Sequence, residues 1–430
     1  MPFAGLDLHK KEVEAAILPD HGNQPIRHRF PATNEGILAF AKSHLSKQHQ
    51  VAVEATTNTW ALVRLLQPLV HSVHVSNPVA THAIANSKVK TDKVDALVLA
   101  QLLRSGFLPT VWTPDETTSE LRRRCTERAN LTHDRVRIKN RIHAILHQHL
   151  IPLPAGDLFS EANLAWLAKL TLPAFEQSCL ARQLFFLDMI DTEITLFNDD
   201  LARHAYHSPE VKLLMTIPGV DFPVAETILS TLGDWTRFPD GDHAASYFGL
   251  VPSTYQSGDH CYHGPITKKG KGHARWMLVQ AAQHLDKHPG PLGASFRRLQ
   301  KKKNRNMAVV ATARKIVTIA WQMLKNNEPY RYADPKTTQA KMSRLRVRAT
   351  GERRKGGNPK GEPRPASHGS GNPTRAVPAL ETVYAKEALP PLLPLAPGES
   401  KMLAESGTAG YAAQIRRSYR VPKRKAPPSA

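Results

Sequence analysis

FAGLDLH, residues 3–9, alternates with a period of two, breaks at the polar HKKE of residues 9–12 and gives way to EVEAAIL, residues 12–18. A period of two is the repeat of a strand, whose successive side chains point to opposite faces. The pattern therefore predicts a strand, a tight turn and a second strand. PDHGN at 19–23 supplies turn residues, and PIRHRF at 25–30 reads as a third strand. Three consecutive strands on short turns make an antiparallel meander. Beyond them the period changes. Asn34 opens a helix through GILAFAKSHL, and VAVEAT at 51–56 is a buried strand. WALVRLLQPLV at 60–70 is helical, SVHVS at 72–76 is a strand, and a further helix begins near Val89.

A meander followed by alternating strand and helix is the layer order of an α/β domain of RNase H-like type. Four carboxylates sit on those elements: Asp7 in GLDLHK, Glu54 in VAVEAT, and Asp92 with Asp95 in KTDKVDA. A lone carboxylate among apolar residues is unfavourable unless a cation or donor satisfies it. Asp92 and Asp95 are three apart on a predicted helix and project from one face. Each acid alone has an ordinary structural reading: Asp92 can cap the helix it opens, and Glu54 can pair with a lysine. As a set, at one end of a sheet, four acids repel strongly without a divalent cation. Magnesium takes hard oxygen ligands and serves phosphodiester chemistry, so the set points to a magnesium site.

The 430 residues carry 58 Lys and Arg against 37 Asp and Glu, a net charge of +21 and a pI near 10.0. Such a surplus suits a polyanion, because released counterions drive binding. Of these charges, 19 basic and 6 acidic residues lie between Pro335 and Ala430, so more than half of the excess is in the tail. No stretch approaches the roughly 20 apolar residues of a membrane span, and the N-terminus lacks a signal-peptide run. Cys125, Cys179 and Cys261 are too few and too scattered for a disulfide framework. The expectation is a cytoplasmic protein with no membrane partner.

Residues 113–205 read as a helical connector. Arg122, Arg123 and Arg124 open its first helix and are available for solvent or phosphate. In its second helix Leu180, Leu184, Leu187, Ile190, Ile194, Phe197 and Leu201 repeat at steps of four and three. An apolar seam of that length needs a partner, either the first helix or another subunit. Residues 206–330 form another compact, mainly α unit. Within it, Leu213–Asp234 resembles a helix-hairpin-helix whose turn at Gly219 can present backbone amides to a phosphate. Ser257 stands in a polar turn before Gly258, followed by Lys268, Lys269, Lys271 and Arg275. On its residues alone Ser257 reads as a turn serine, since a hydroxyl is a poor nucleophile without activation. The last 80 residues hold 12 of the 33 prolines, so 331–430 is expected to be a disordered basic tail.

GLDLHK, VEAT and KTDKVDA resemble the Asp-Glu-Asp-Asp signature of the DEDD transposases of the insertion-sequence-110 family, which includes the Piv-type DNA invertases. GLVP, SG and G-x-ITKKG with a following Arg are similar to a second segment of that family. Thr57, Ser253, Thr254 and Pro265 depart from its usual residues. The resemblance implies a RuvC-like catalytic domain over 1–112 and assigns Asp7, Glu54, Asp92 and Asp95 to its four acidic positions. It implies that Ser257 is a covalent nucleophile. It further implies a composite site between copies of the chain in a dimer or tetramer, and a structured non-coding guide RNA that pairs with donor and target DNA. Two other readings stay open at this point. One is a metal-dependent nuclease or junction resolvase that uses the acids alone. The other is a non-enzymatic nucleic-acid-binding protein.

Overall fold

The computed structural model describes residues 1–19, 24–84, 91–352 and 374–422. The chain divides into two compact units, Met1–Asp115 and Glu116–Ala430. No boundary falls near 205 or 330.

The first unit runs β1 (Phe3–Leu8), β2 (Glu12–Leu18), β3 (Ile26–Pro31), α1 (Asn34–His44), β4 (Gln50–Glu54), α2 (Thr59–Leu66), β5 (Ser72–Ser76), α3 (Pro78–Ile84), α4 (Asp92–Arg104) and β6 (Thr110–Val111). One six-stranded sheet has the order β3-β2-β1-β4-β5-β6. The meander is present: β1 pairs antiparallel with β2, and β2 with β3. β1 then pairs parallel with β4, and β4 with β5. The expected turn at 19–23 and the helix start near Val89 lie outside the described residues. Alternation sorts the side chains between two faces. Ala4, Leu6, Leu8, Val51 and Val53 share a core with Ile37 and Phe40 of α1 and Leu62 and Leu66 of α2. Phe3 and Ala52 pack with Leu99 and Leu103 of α4 on the other face. The same period of two places Asp7 and Glu54 on the α4 face.

The second unit is mainly helical: α5 (Glu116–Gln148), α6 (Glu161–Ala168), α7 (Ala174–His207), α8 (Pro209–Leu214), α9 (Phe222–Leu232), α10 (Gly241–Tyr247), the hairpin β7 (Pro252–Ser257) and β8 (His260–Ile266), α11 (Gly272–Ala282), α12 (Pro291–Lys302), α13 (Arg305–Asn326), α14 (Pro335–Thr350), β9 (Thr374–Val377), α15 (Leu380–Lys386), α16 (Glu399–Glu405), α17 (Ala409–Ile415) and β10 (Tyr419–Pro422). The partner of the α7 seam is α5. Arg124 meets Asp200 at 2.6 Å, Arg128 donates to Asn198 at 2.7 Å and Arg135 meets Asp191 at 2.5 Å. One number rises as the other falls, so the two helices run antiparallel. Ile138, Ile142 and Leu146 of α5 share a core with Leu180 and Leu187 of α7.

The tail corrects the expectation of disorder over 331–430. Its described parts, to residue 352 and from 374 to 422, are folded. Met342, Leu345, Leu380, Val383, Tyr384, Leu403 and Ile415 are buried in the same core as Val211 and Ile228. Proline-rich composition hid a few large apolar anchors, and those suffice to offset the ordering entropy of short helices. The run RRKGGNPKGEPRPASHGSGNP falls on residues 353–373, outside the described residues. Among the described helices, only α13 is long and apolar enough to cross a membrane. It is a core helix, with Ala313, Ile316, Val317 and Ala320 fully buried.

Candidate active site

The acidic site is assembled by a close approach of α4 to β1. A side chain at Gly5 would place its Cβ 2.0 Å from the carbonyl oxygen of Ala96. Only glycine lets the helix sit so near the strand, and Ala96 and Ala100 keep the helix face equally thin. Thr91 caps α4, its hydroxyl accepting from the Val94 amide at 3.4 Å. Asp92 is therefore released from the capping role that its position suggests. Asp92 and Asp95 occupy the first turn, where the helix dipole favours negative charge.

Asp7 is 7% exposed near the end of β1. Nε2 of His9 lies 3.0 Å from Oδ2 of Asp7 and 3.4 Å from Oδ1 of Asp92. Ligand atoms of Asp7, His9 and Asp92 all fall within 4.8 Å of one another. Burial raises the Asp7 pKa, and the charges of Asp92 and Asp95 add to that, against the pull of His9. Partial burial lowers the His9 pKa, but the Asp7 and Asp92 carboxylates outweigh it and hold the imidazole above its usual value. Among the described residues, no Lys or Arg forms an ion pair with Asp7. A buried acid with two more acids beside it and no basic residue of fixed charge suits a divalent cation.

Glu54 ends β4. Leu6 pairs with Val53, so Asp7 and Glu54 are the next positions along two adjacent parallel strands. The Thr59 hydroxyl fixes the Glu54 carbonyl at 2.7 Å. Glu54 and Asp95 border the three-residue ligand group without joining it. His9 was absent from the residues singled out by sequence. The signal was available, because Asp-Leu-His places residues 7 and 9 on the same side of an extended chain.

In the second unit Ser257 is the last residue of β7 and pairs with His260 across a two-residue loop. Gly258 has φ of +57°, the left-handed value that a tight hairpin needs at its first central position. Among the described residues the ribbon is two-stranded, β7 pairing with β8 alone. Ser257 is exposed at its tip, and Tyr255 and Tyr262, opposite each other along the ribbon, are each 67% exposed.

The basic loop after β8 is pinned rather than loose. The amide of Thr267 donates to Val251 at 2.9 Å and that of Lys268 to Gly249 at 3.2 Å. Lys268 itself has φ of +53°, a left-handed conformation that costs a non-glycine residue roughly 1 kcal/mol. Arg275 clamps the loop by donating to the carbonyls of Gly270 at 3.0 Å and Phe248 at 3.3 Å. This leaves Lys268, Lys269 and Lys271 exposed. Two of the expected phosphate contacts have other partners. Arg122 donates to the carbonyls of Ser230 at 2.7 Å and Thr231 at 3.1 Å, satisfying the C-terminus of α9. Arg124 bridges Glu120 and Asp200. Arg123 stays exposed beside Glu116. The segment Leu213–Asp234 runs through the end of α8, a turn and α9. Gly219 has φ of +81°, and a Cβ there would come within 2.2 Å of the Ala281 carbonyl oxygen.

Residues 4–151 match the DEDD transposase model of the IS110 family, and residues 211–297 match the transposase model of the IS116/IS110/IS902 family. A putative transposase of Sinorhizobium fredii is 28% identical, covering 65% of this chain and 70% of that protein. The transposase for insertion sequence element IS1328 of Yersinia enterocolitica is 24% identical over 74% of this chain and 95% of its own. The pilin gene-inverting protein of Moraxella bovis is also 24% identical, over 76% of this chain and 97% of its own. The first matched segment carries Asp7, Glu54, Asp92 and Asp95, and the second carries Ser257 with the pinned basic loop. A mixed sheet with acids on one face, joined in sequence to a helical unit bearing that loop, accords with both matches, and the chain belongs to the IS110 family of DEDD transposases.

Proposed function

We propose that this enzyme cuts and rejoins the DNA of an insertion sequence using a magnesium-binding acidic site and a serine nucleophile, guided by a non-coding RNA. The observation that carries the reading is the convergence of Asp7 and Asp92 on His9, with Asp95 and Glu54 at its border. Asp7 and Asp92 would hold the cation, with Glu54 and Asp95 adjoining. When bound, magnesium neutralises charge on a phosphodiester and orients it. His9 bridges the two aspartates, whose carboxylates raise its pKa.

Ser257 supplies the covalent step. Its Oγ bonds to phosphorus as the bond from phosphorus to one deoxyribose oxygen breaks. The proton that the serine gives up ends on that oxygen. The phosphoserine link conserves the bond energy for rejoining. The exposed tip of the hairpin supports this role, because a nucleophile must reach a bulky substrate. Lys268, Lys269 and Lys271 would hold the DNA backbone, a role their exposure supports, and Arg275 shapes their loop. The family likeness and the net charge of +21 support nucleic acid as partner, and the guide RNA rests on the likeness alone. A homo-oligomer and a cytoplasmic, nucleoid-associated location complete the proposal. The exposed Phe175, Phe185, Phe186, Met189 and Leu196 of α7 support the oligomer.

The test is to incubate the protein with magnesium, its co-purified RNA and DNA carrying the element's end, then denature and look for protein-linked DNA. An adduct present in wild type and lost in both Ser257→Ala and Asp92→Asn is the expected result. Cleavage without an adduct, unchanged in Ser257→Ala, would remove the serine and leave a metal-dependent nuclease.

A further inference from the structure

The turn between α8 and α9 closes around a positive charge that comes from far along the chain. Lys341 of α14 is 5% exposed. Its Nζ donates to the backbone carbonyls of Ile217 at 2.9 Å and Val220 at 2.8 Å, and to that of Met215. An ammonium has three donors, and here three acceptors meet them. Among the described residues no carboxylate forms an ion pair with Lys341. A buried cation ordinarily requires a counter-charge. Here backbone carbonyls take all three of its hydrogen bonds, in the way that carbonyl oxygens replace the hydration shell of an alkali cation.

The cage and its occupant are separable. All three carbonyls belong to one turn, and the left-handed Gly219 lets that turn reverse between Ile217 and Val220. The turn is braced independently of the lysine. The Thr216 hydroxyl donates to Leu213 at 2.6 Å and accepts from the Tyr330 amide at 2.9 Å. The lysine arrives from a helix more than 120 residues later. A cleft of about 300 Å³ lined by Thr216, Gly219, His288, Asp334 and Lys341 opens beside the cage and offers a path for a small ion. Burial pushes the Lys341 pKa down to about 8, opposed by the charges of Asp221 and Asp334, which leaves it protonated at neutral pH.

We propose that the carbonyls of Met215, Ile217 and Val220 form a monovalent-cation site, that the Lys341 ammonium is its resident cation, and that potassium takes the site when the lysine side chain is removed. Potassium and ammonium are close in size, and both accept carbonyl oxygens as ligands. The inference is independent of the recombinase reading, because it is read from melting and not from activity.

The experiment melts the full chain in potassium, sodium, lithium and choline chlorides at equal ionic strength. Wild type is expected to melt alike in potassium and choline. Lys341→Ala should melt roughly 5–10 °C lower in choline, with three buried carbonyls unsatisfied, and recover at least half of the loss in potassium. Lys341→Met fills the space without charge, so it should be lowered in every salt with no recovery. An alanine variant that melts alike in potassium and choline, or stays unfolded in all four salts, would overturn the proposal. So would potassium rescue of Lys341→Met.

Discussion

Asp7 lies on a strand with neighbours on both sides, under a helix seated so closely that only glycine fits beneath it. Ser257 lies at the tip of a ribbon that, among the described residues, pairs only with itself, and a Cβ added at the neighbouring Gly258 would meet none of them within 4 Å. The two candidate catalytic elements are thus held by opposite means. The acids sit in a packed frame whose geometry is set before any ligand arrives, as a cation site requires. The serine stands in open space on a scaffold that constrains its base and not its tip, as suits a group that must meet a bulky polymer.

The sharpest way to separate the two is to remove each group and read stability beside chemistry. Ser257→Ala and Asp7→Asn are each expected to lower DNA joining by roughly 10³-fold or more. Ser257→Ala should leave stability within about 0.5 kcal/mol, because an exposed hydroxyl holds nothing. Asp7→Asn should leave the melting temperature unchanged or higher, since it deletes a charge that burial already disfavours. A fall in stability for Asp7→Asn would mean that the acid is a structural member of the sheet.

Next in size is the pair of glycines. Gly5→Ala should push α4 off β1, cost about 1–3 kcal/mol and lower joining by roughly 10²-fold through displacement of Asp92. Gly258→Ala meets no obstacle and should cost only about 1 kcal/mol for its left-handed φ, with a correspondingly small loss of joining. Equal effects would erase the contrast between frame and ribbon. Magnesium should then raise the melting of the first unit by roughly 3 kcal/mol at a hundredfold excess over its dissociation constant. Asp92→Asn should abolish that gain, as read by calorimetry with and without chelator.

The smallest expected effect is a pH slope in the second unit. The hydrogen bond that Glu226 accepts from His204 raises the His204 pKa, and burial raises that of Glu226. An imidazole with a raised folded pKa stabilises fully below its unfolded value, near 6.5, and loses that contribution as pH rises through the folded value. Glu226, an acid with a raised folded pKa, shifts stability in the same direction, but its loss begins lower, from its unfolded value of 4.5 upward. The melting temperature should therefore decline above about pH 6.5, and His204→Gln should flatten that decline. His273 and His288, which burial holds near 4, act on the acid side and destabilise as pH falls from their unfolded value toward 4.

The sheet was legible because its period is short and local. Six residues of β1 announce which face each side chain takes, and the two acids of KTDKVDA sit one turn apart wherever the helix goes. What sequence could not reveal was what lies opposite. Arg122 and Arg124 look like phosphate contacts until α9 and α7 are placed beside them, and the α9 carbonyls lie more than 100 residues away. Glu54 was legible as a strand acid, yet its place beside Asp7 follows only from the parallel pairing of β1 with β4. The tail was misread because composition averages over a window. Leu380, Tyr384, Leu403 and Ile415 are few, but each fills a position in a core that elements far upstream leave open.

That last feature sets a schedule for biosynthesis. The first unit ends at Asp115 and can fold as soon as it clears the ribosome, whereas a core that includes Leu403 and Ile415 closes only when nearly all of the remaining 315 residues have been made. At about 5–20 residues per second that interval is roughly 15–60 s. A newly made chain thus carries its acidic site long before the unit that bears the serine is complete. A message cut short anywhere before codon 380 yields a protein with one half finished and the other left as bait for chaperones and proteases.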